Sequence, residues 1–287
     1  RNYYLPNPDE EGERHFKLIL SETDKETLLA ILKNAPMPAE ISGRIDQNYG
    51  LFQDLIQKHE DEMEAICQGL AKLEQHSTPQ QAAAERYGVP ASVVTAIWGI
   101  ERNYGSNFGP FKTVDALATL AYEGRRHDWA RSQLMAALRI IDRGDIAAEA
   151  MIGSWAGAMG HTQFIPTVFQ AYAVDADGDG RRDIWGSIPD VAASTAHFLV
   201  REGWVPSETW GTEVQLPTGF DHARAELRVR QSTAQWAAEG VRAMDGNAAL
   251  PDLASASILA PAGARGPAFL VGKNFRTILR YNNSTNY

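Results

Sequence analysis

Cysteine occurs once in 287 residues, at Cys67. A lone thiol closes no internal disulfide and builds no cysteine zinc site. Long apolar runs are also missing. The longest, such as 93–100, fall far short of the ~20 residues that span a bilayer. Basic residues are outnumbered, 27 Lys and Arg against 36 Asp and Glu, for a net charge of −9. Residues 1–80 hold 15 acidic and 8 basic side chains, and the remainder holds 21 and 19. Neither part is basic, which argues against a nucleic-acid footprint or a polybasic membrane patch. An anionic polymer would have to be held by shape and hydrogen bonds. No internal repeat and no low-complexity tract occurs. Hydrophobic residues make up 44% and charged residues 22%, an ordinary globular mix at a length suited to one or two domains. The chain begins at Arg1 without an apolar leader core, as expected where a targeting segment has been removed or the chain shortened.

The hydrophobic pattern is mainly helical. Helices are expected at 25–33 and at about 47–74, where Leu51, Leu55, Ile56, Met63, Ile66 and Leu70 recur at helical spacing. Thr78 followed by Pro79 reads as a new helix start. Residues 79–204 read as almost wholly helical. Pro and Gly then rise, and 213–216 and 226–230 alternate like strands. Ser232 with Gln235 matches a capping box, 269–271 a short strand, and 274–281 a last helix. The expected organisation is a helical region at 1–78, a core at 79–204, a small mixed insert at 205–272, and a C-terminal helix and motif at 273–287.

Three segments carry chemistry. The first, 90–105, reads PASVVTAIWGIERNYG. Val94, Ile97, Trp98 and Glu101 share one helical face, so Glu101 points where the apolar side chains point. It also lies in the last turn, where the helix dipole disfavours a negative charge. Both effects favour the uncharged acid, which suits a general acid in glycoside cleavage. The bland alternative is a structural ion pair, for instance with Arg125 or Arg126.

The second segment, 153–166, reads GSWAGAMGHTQFIP. Its small residues let another chain approach the backbone closely. Ser154, His161, Thr162 and Gln163 offer neutral hydrogen-bonding groups beside Trp155, Met159 and Phe164, a combination that suits a sugar. Tight packing through small residues explains the composition equally well.

The third, 175–186, reads DADGDGRRDIWG. Asp175, Asp177 and Asp179 occupy positions 1, 3 and 5 of an EF-hand-like loop, with Gly180 at position 6. Arg181 could give its backbone carbonyl at position 7 and Asp183 a water-mediated contact. Position 12 is Gly186 rather than Glu, and Asp190 is the expected replacement. The competing reading is a solvated Asp-Gly turn.

In this order, together with FLVREGW and the closing RYNNSTNY, these segments resemble the lytic murein transglycosylase B family over about 85–287. The resemblance implies a mainly α, α+β fold: a lysozyme-like helical core with an EF-hand-like calcium loop and a small insert. It implies non-hydrolytic cleavage of the β-1,4 bond between N-acetylmuramic acid and N-acetylglucosamine, leaving a 1,6-anhydro sugar. Glu101 takes the place of the family's single catalytic glutamate. Ser154, Met159, Gln163, Phe198, Tyr281, Asn282 and Tyr287 match substrate-cleft positions. Asp175, Asp177, Asp179, Arg181 and Asp190 match the calcium loop, here one residue longer before its last acid. Peptidoglycan glycan strands are the implied partner, with other cell-wall proteins as further candidates, and a bacterial periplasm or cell envelope is the implied location. Two readings remain beside it: a hydrolytic muramidase, which needs a second carboxylate about 5–9.5 Å from the first, and a non-catalytic, calcium-stabilised wall-binding protein.

Overall fold

The structure is a computed structural model that describes residues 61, 64–123, 126–244 and 249–285. The chain divides into two compact units, Arg1–Ala65 and Ile66–Tyr287. Only Asp61, Glu64 and Ala65 of the first are described, so the helix expected at 25–33 and much of that at 47–74 lie outside the described residues. Every element named from here belongs to the second unit.

Residues 66–75 are helical and lead into α1 (Ser77–Tyr87). The expected cap at Thr78 is displaced. His76 is the N-cap and no side chain caps the helix, so Thr78 and Pro79 fall inside the first turn. The helix ends at Gly88 in the left-handed region, where a β-carbon would collide with Pro206. The Gly88 carbonyl accepts the Trp204 indole proton at 3.0 Å.

α2 (Ala91–Arg102) buries Val94, Thr95, Ile97 and Trp98, the face anticipated from the spacing. α3 (Thr113–Glu123) and α4 (His127–Arg143) pack as a pair, and α5 (Pro166–Tyr172) lies against α4. α6 (Ile188–Arg201) is the hub. Residues 190–196, Phe198 and Leu199 are all buried, and α1, α2, α5 and the last helix, α8 (Lys273–Tyr281), pack on it. Ala192, Ala193 and Ala196 give that helix flat sides, which lets several neighbours approach at interior packing density.

Two small antiparallel sheets complete the unit. β1 (Phe111–Lys112) pairs with β2 (Ile152–Gly153), Phe111 opposite Gly153. The other sheet has the order β4-β3-β6-β5, built from β3 (Gly211–Gln215), β4 (Arg242–Ala243), β5 (Ser257–Leu259) and β6 (Ala268–Val271). The strand expected at 213–216 is β3. Residues 226–230 form a turn instead, because local bonds take the amides: Glu226 N donates to the Arg224 carbonyl and Val229 N to that of Glu226. The capping box at Ser232 is present and opens α7 (Thr233–Ala238). Strands β1, β2, β4 and β5, two or three residues each, are too short to show a period. Trp236, Val214, Ile258 and Leu270 centre the small apolar cluster of this sheet. A larger cluster runs from Ala83 to Trp204 and takes in Ile278 and Tyr281 of α8.

Asn274 holds α8 to the end of the helical core. Fully buried, it donates its amide to the carbonyls of Val205 at 2.8 Å and Glu208 at 2.7 Å, and accepts from Val205 N at 2.8 Å. Asn274→Ala should strand three backbone groups and cost roughly 2–4 kcal/mol. A thermal melt should show a fall of about 5–15 °C. A shift under 2 °C would mean that α8 is held elsewhere.

Candidate functional site

Glu101 lies half-buried in the last turn of α2, one turn beyond Trp98. The chain then passes through two left-handed residues, Asn103 at φ 42° and Tyr104 at φ 57°. Gln163, at φ 52°, is the third and last non-glycine residue with positive φ among the described residues. Such conformations cost free energy and persist where surroundings impose them. For Tyr104 the surroundings are visible. Its ring stands edge-on to Trp98 at 5.3 Å, and its hydroxyl fills space where a β-carbon at Gly99 or Gly69 would be.

Three consecutive residues, His161, Thr162 and Gln163, tie this helix end to the rest of the site. The Trp98 indole donates to His161 Nδ1 at 2.7 Å. The Thr162 carbonyl accepts the Tyr281 hydroxyl at 2.7 Å. Arg102 Nη2 donates to the Gln163 side-chain carbonyl, whose amide nitrogen donates to the Gly160 carbonyl at 2.9 Å. The segment thus grips both α2 and α8. The Tyr281 phenol is pushed well above the ordinary tyrosine range, by burial first and then by the charge of Glu101, against a hydrogen bond with Thr195. Residues 161–163 thus join the α2 turn that carries Glu101 to Tyr281 at the end of α8.

Burial pushes His161 down to about 4, against a backbone hydrogen bond at Trp185 and the charge of Asp183, with His76 adding to the fall. The ring is neutral at physiological pH, and the Trp98 donor requires a bare Nδ1. A β-carbon at Gly105, at φ 86°, would overlap this ring.

The other expected cleft residues fall in different places. Ser154 Oγ accepts from Ala156 N at 3.3 Å and Ala158 N at 3.1 Å, which locks a turn. Met159 is 0% exposed and Phe198 7%. Both are buried, and Phe198 braces Tyr281 edge-on at 4.9 Å. His161 and Thr162, offered above as sugar-binding groups, are also buried, because their polar atoms serve α2 and α8. Asn282 is exposed just past α8. Tyr287 lies outside the described residues. The glycines at 153, 157 and 160 permit close internal packing. β-carbons there would meet Ala158 O, Leu117 and Ile184 O.

Asp175, Asp177 and Asp190 bring one carboxylate oxygen each within 4.8 Å of one another. Asp190, fully buried, accepts from Ala176 N and Asp183 N, both at 2.7 Å. Burial pushes its carboxyl up, those N–H groups partly offset this, and the charge of Asp177 adds to the rise. Three converging acids, one of them desolvated, fit a hard divalent cation. Asp179 is outside this trio: its carboxylate accepts from Arg181 N at 2.8 Å. Arg182, which carried no expectation, caps the loop by a paired hydrogen bond to Asp145, whose side chain is fully buried. An acid directly after the left-handed Gly144 was the one sequence signal for that pair.

Comparison with known proteins adds family information. Residues 19–287 match the family described as Transglycosylase SLT domain. Membrane-bound lytic murein transglycosylase B of Escherichia coli K12 is 32% identical over 229 residues, 77% of this chain and 60% of that protein. The chain therefore spans about 60% of the length of this curated relative. The crystal structure of SltB3 from Pseudomonas aeruginosa in complex with NAG-anhNAM-pentapeptide superimposes with TM-score 0.74 at 53% identity, over 78% of this chain and 60% of that one. The Escherichia coli lytic transglycosylase Slt35 in complex with calcium gives 0.67 at 27% identity, over 95% and 86%.

The buried neutral His161 makes stability depend on pH. Its folded value lies below the ordinary 6.5, so the unfolded chain takes the proton first as pH falls. The contribution is complete above about pH 6.5 and is lost down to about pH 4, by roughly 3 kcal/mol. Urea melts at pH 7, 5.5 and 4 should show a smaller loss over this interval in His161→Asn than in the parent. Equal losses would show that another group is responsible.

Proposed function

Because the chain belongs to the transglycosylase SLT domain family, we propose that it is a lytic transglycosylase that cleaves the MurNAc-β-1,4-GlcNAc bond of peptidoglycan glycan strands in a bacterial periplasm or envelope. The observation that carries this reading is the convergence of the end of α2, which bears Glu101, and the end of α8, which bears Tyr281, on residues 161–163. A relative bound to a NAG-anhNAM-pentapeptide supports the product class.

In this mechanism one carboxyl acts twice. Glu101 gives its proton to the glycosidic oxygen as the bond from the anomeric carbon breaks. The carboxylate then takes the proton of the muramyl 6-hydroxyl as that oxygen bonds to the same carbon. Glu101 ends protonated, no water is consumed, and the product is a 1,6-anhydro sugar. The nucleophile belongs to the substrate and so has a high effective concentration. The Tyr281 phenol, a neutral group whose ionisation burial pushes still further up, is polar without adding a competing charge. Ser154, Gln163 and Asn282 are the proposed polar contacts to the strand, and Tyr287 is proposed with them from the motif alone.

Mass spectrometry of muropeptides after digestion tests the reaction class. Anhydro ends are expected; reducing ends would make the protein a hydrolytic muramidase, and no release a binding protein. Glu101→Gln, which keeps the shape but cannot cycle a proton, should lower turnover by at least about a thousandfold, with the melting temperature within a few degrees of the parent. Near-normal turnover in that variant would remove Glu101 from the chemistry.

We also propose that Asp175, Asp177 and Asp190 hold a structural Ca²⁺, with Asp179 and the Arg181 carbonyl completing the shell. The support is the buried Asp190 among converging acids, and the calcium complex of Slt35 is consistent with it. At a hundredfold excess over Kd, calcium should add about 2.7 kcal/mol, or roughly 5–10 °C in a thermal melt. Chelator should reverse the rise and Asp190→Asn should abolish it. An unchanged melting temperature at millimolar calcium would contradict the site.

A further inference from the structure

We infer that His161 is a positioning residue: its bare Nδ1 holds the Trp98 indole and thereby sets the rotation of the helix turn that presents Glu101. The inference rests on the reading that Glu101 does the chemistry. Trp98 precedes Glu101 by three residues, so both lie on one face of α2, and a rotation of the helix that displaces the indole displaces the carboxyl with it. The indole is surrounded by His76 at 5.3 Å, Tyr104 at 5.3 Å and His161 at 5.5 Å between ring centres, all edge-on. Of these contacts, the bond to Nδ1, at 2.7 Å, has a direction.

His161 is itself fixed from three sides. Its backbone N–H donates to the Ile184 carbonyl at 2.9 Å, its ring stands nearly perpendicular to Phe108 at 4.7 Å between centres, and it fills the space that a β-carbon at Gly105 would need. A ring so held can serve as a reference for α2. If packing alone were needed, an apolar ring would serve at this 7% exposed position, without a buried donor and acceptor to satisfy. The left-handed pair Asn103–Tyr104 directly after the helix sharpens the requirement, since a strained exit transmits any helix rotation to the loop. A displacement of about 1 Å at a reacting group can cost about a hundredfold in rate.

Two amide variants separate positioning from packing. In His161→Asn the side-chain oxygen falls near the place of Nδ1 and can accept from Trp98. In His161→Gln the amide reaches the place of Nε2 and leaves the indole without its acceptor. On purified peptidoglycan, with rates normalised to folded protein by near-UV circular dichroism, His161→Asn should lose less than about threefold in kcat. His161→Gln should lose tenfold or more, and KM should stay within twofold in both. Parallel losses that track melting temperature, or full kcat in His161→Gln, would overturn the inference. A readout independent of activity is hydrogen exchange at the Trp98 indole, which should be slow in the parent and in His161→Asn and fast in His161→Gln. A fast-exchanging indole in the parent would overturn the inference by itself, even if His161→Gln does not fold. If the parent cleaves nothing, the functional reading fails, while the exchange still decides the bond.

Discussion

The bond from the Trp98 indole to a neutral histidine is the constraint around which the site is arranged. It forms only while His161 lacks a proton on Nδ1, and burial keeps it so. The ring can sit that deep only because Gly105 has no side chain, and Gly105 can turn the chain there because its φ of 86° costs glycine little. One residue's missing side chain, another's missing proton and a helix orientation are thus a single requirement. A substitution at any of the three is felt at Glu101, although none of them needs to touch a substrate.

The same logic explains why polar residues next to the site are buried. The backbone around the site is fixed by groups that face inward. Thr162 contributes its main-chain carbonyl to Tyr281, and Gln163 uses both ends of its amide, on Arg102 and Gly160. Gln163 also bears a left-handed backbone, a cost that its two hydrogen bonds offset. Behind Tyr281, the rings of Phe198 and Phe164 fill the space to the core, at 4.9 and 5.7 Å, so the phenol is held by shape as well as by its hydroxyl.

What the sequence disclosed follows from which interactions are local. The face of α2 was legible because helical period alone sets it, and the nearness of Asp175 to Asp177 because alternate residues of one loop lie close together. Asp190 was named from spacing alone, and its carboxylate lies beside those of Asp175 and Asp177. The direction in which His161, Met159 and Phe198 face was not legible. Those residues sit in segments whose partners are far away in the chain, 63 residues in the case of Trp98 and His161, and a motif match reports presence at a site without reporting depth. The turn at 226–230 was misread as a strand for the opposite reason. Its alternation is real, with Leu227 and Val229 half-buried between exposed or half-buried charges, but local turn bonds outcompete a ladder partner.

The small sheet has a route to the site through α8. Arg276 donates to the Gly272 carbonyl within that helix's start, and across to the Leu227 carbonyl and the Ser257 hydroxyl of the sheet region. Asn274, two residues earlier, bonds the core side at Val205 and Glu208. Five residues beyond Arg276, Tyr281 reaches Thr162. A nine-residue helix therefore has its first turn bonded to the segment after α6 and to the sheet region, and its last residue bonded to Thr162. Because an α-helix is stiff over that length, the position of the phenol is set by bonds made at the opposite end. The residues from 205 to 272 then have a mechanical part in the site, although none of their side chains lies in it: they hold the base of the helix that carries Tyr281.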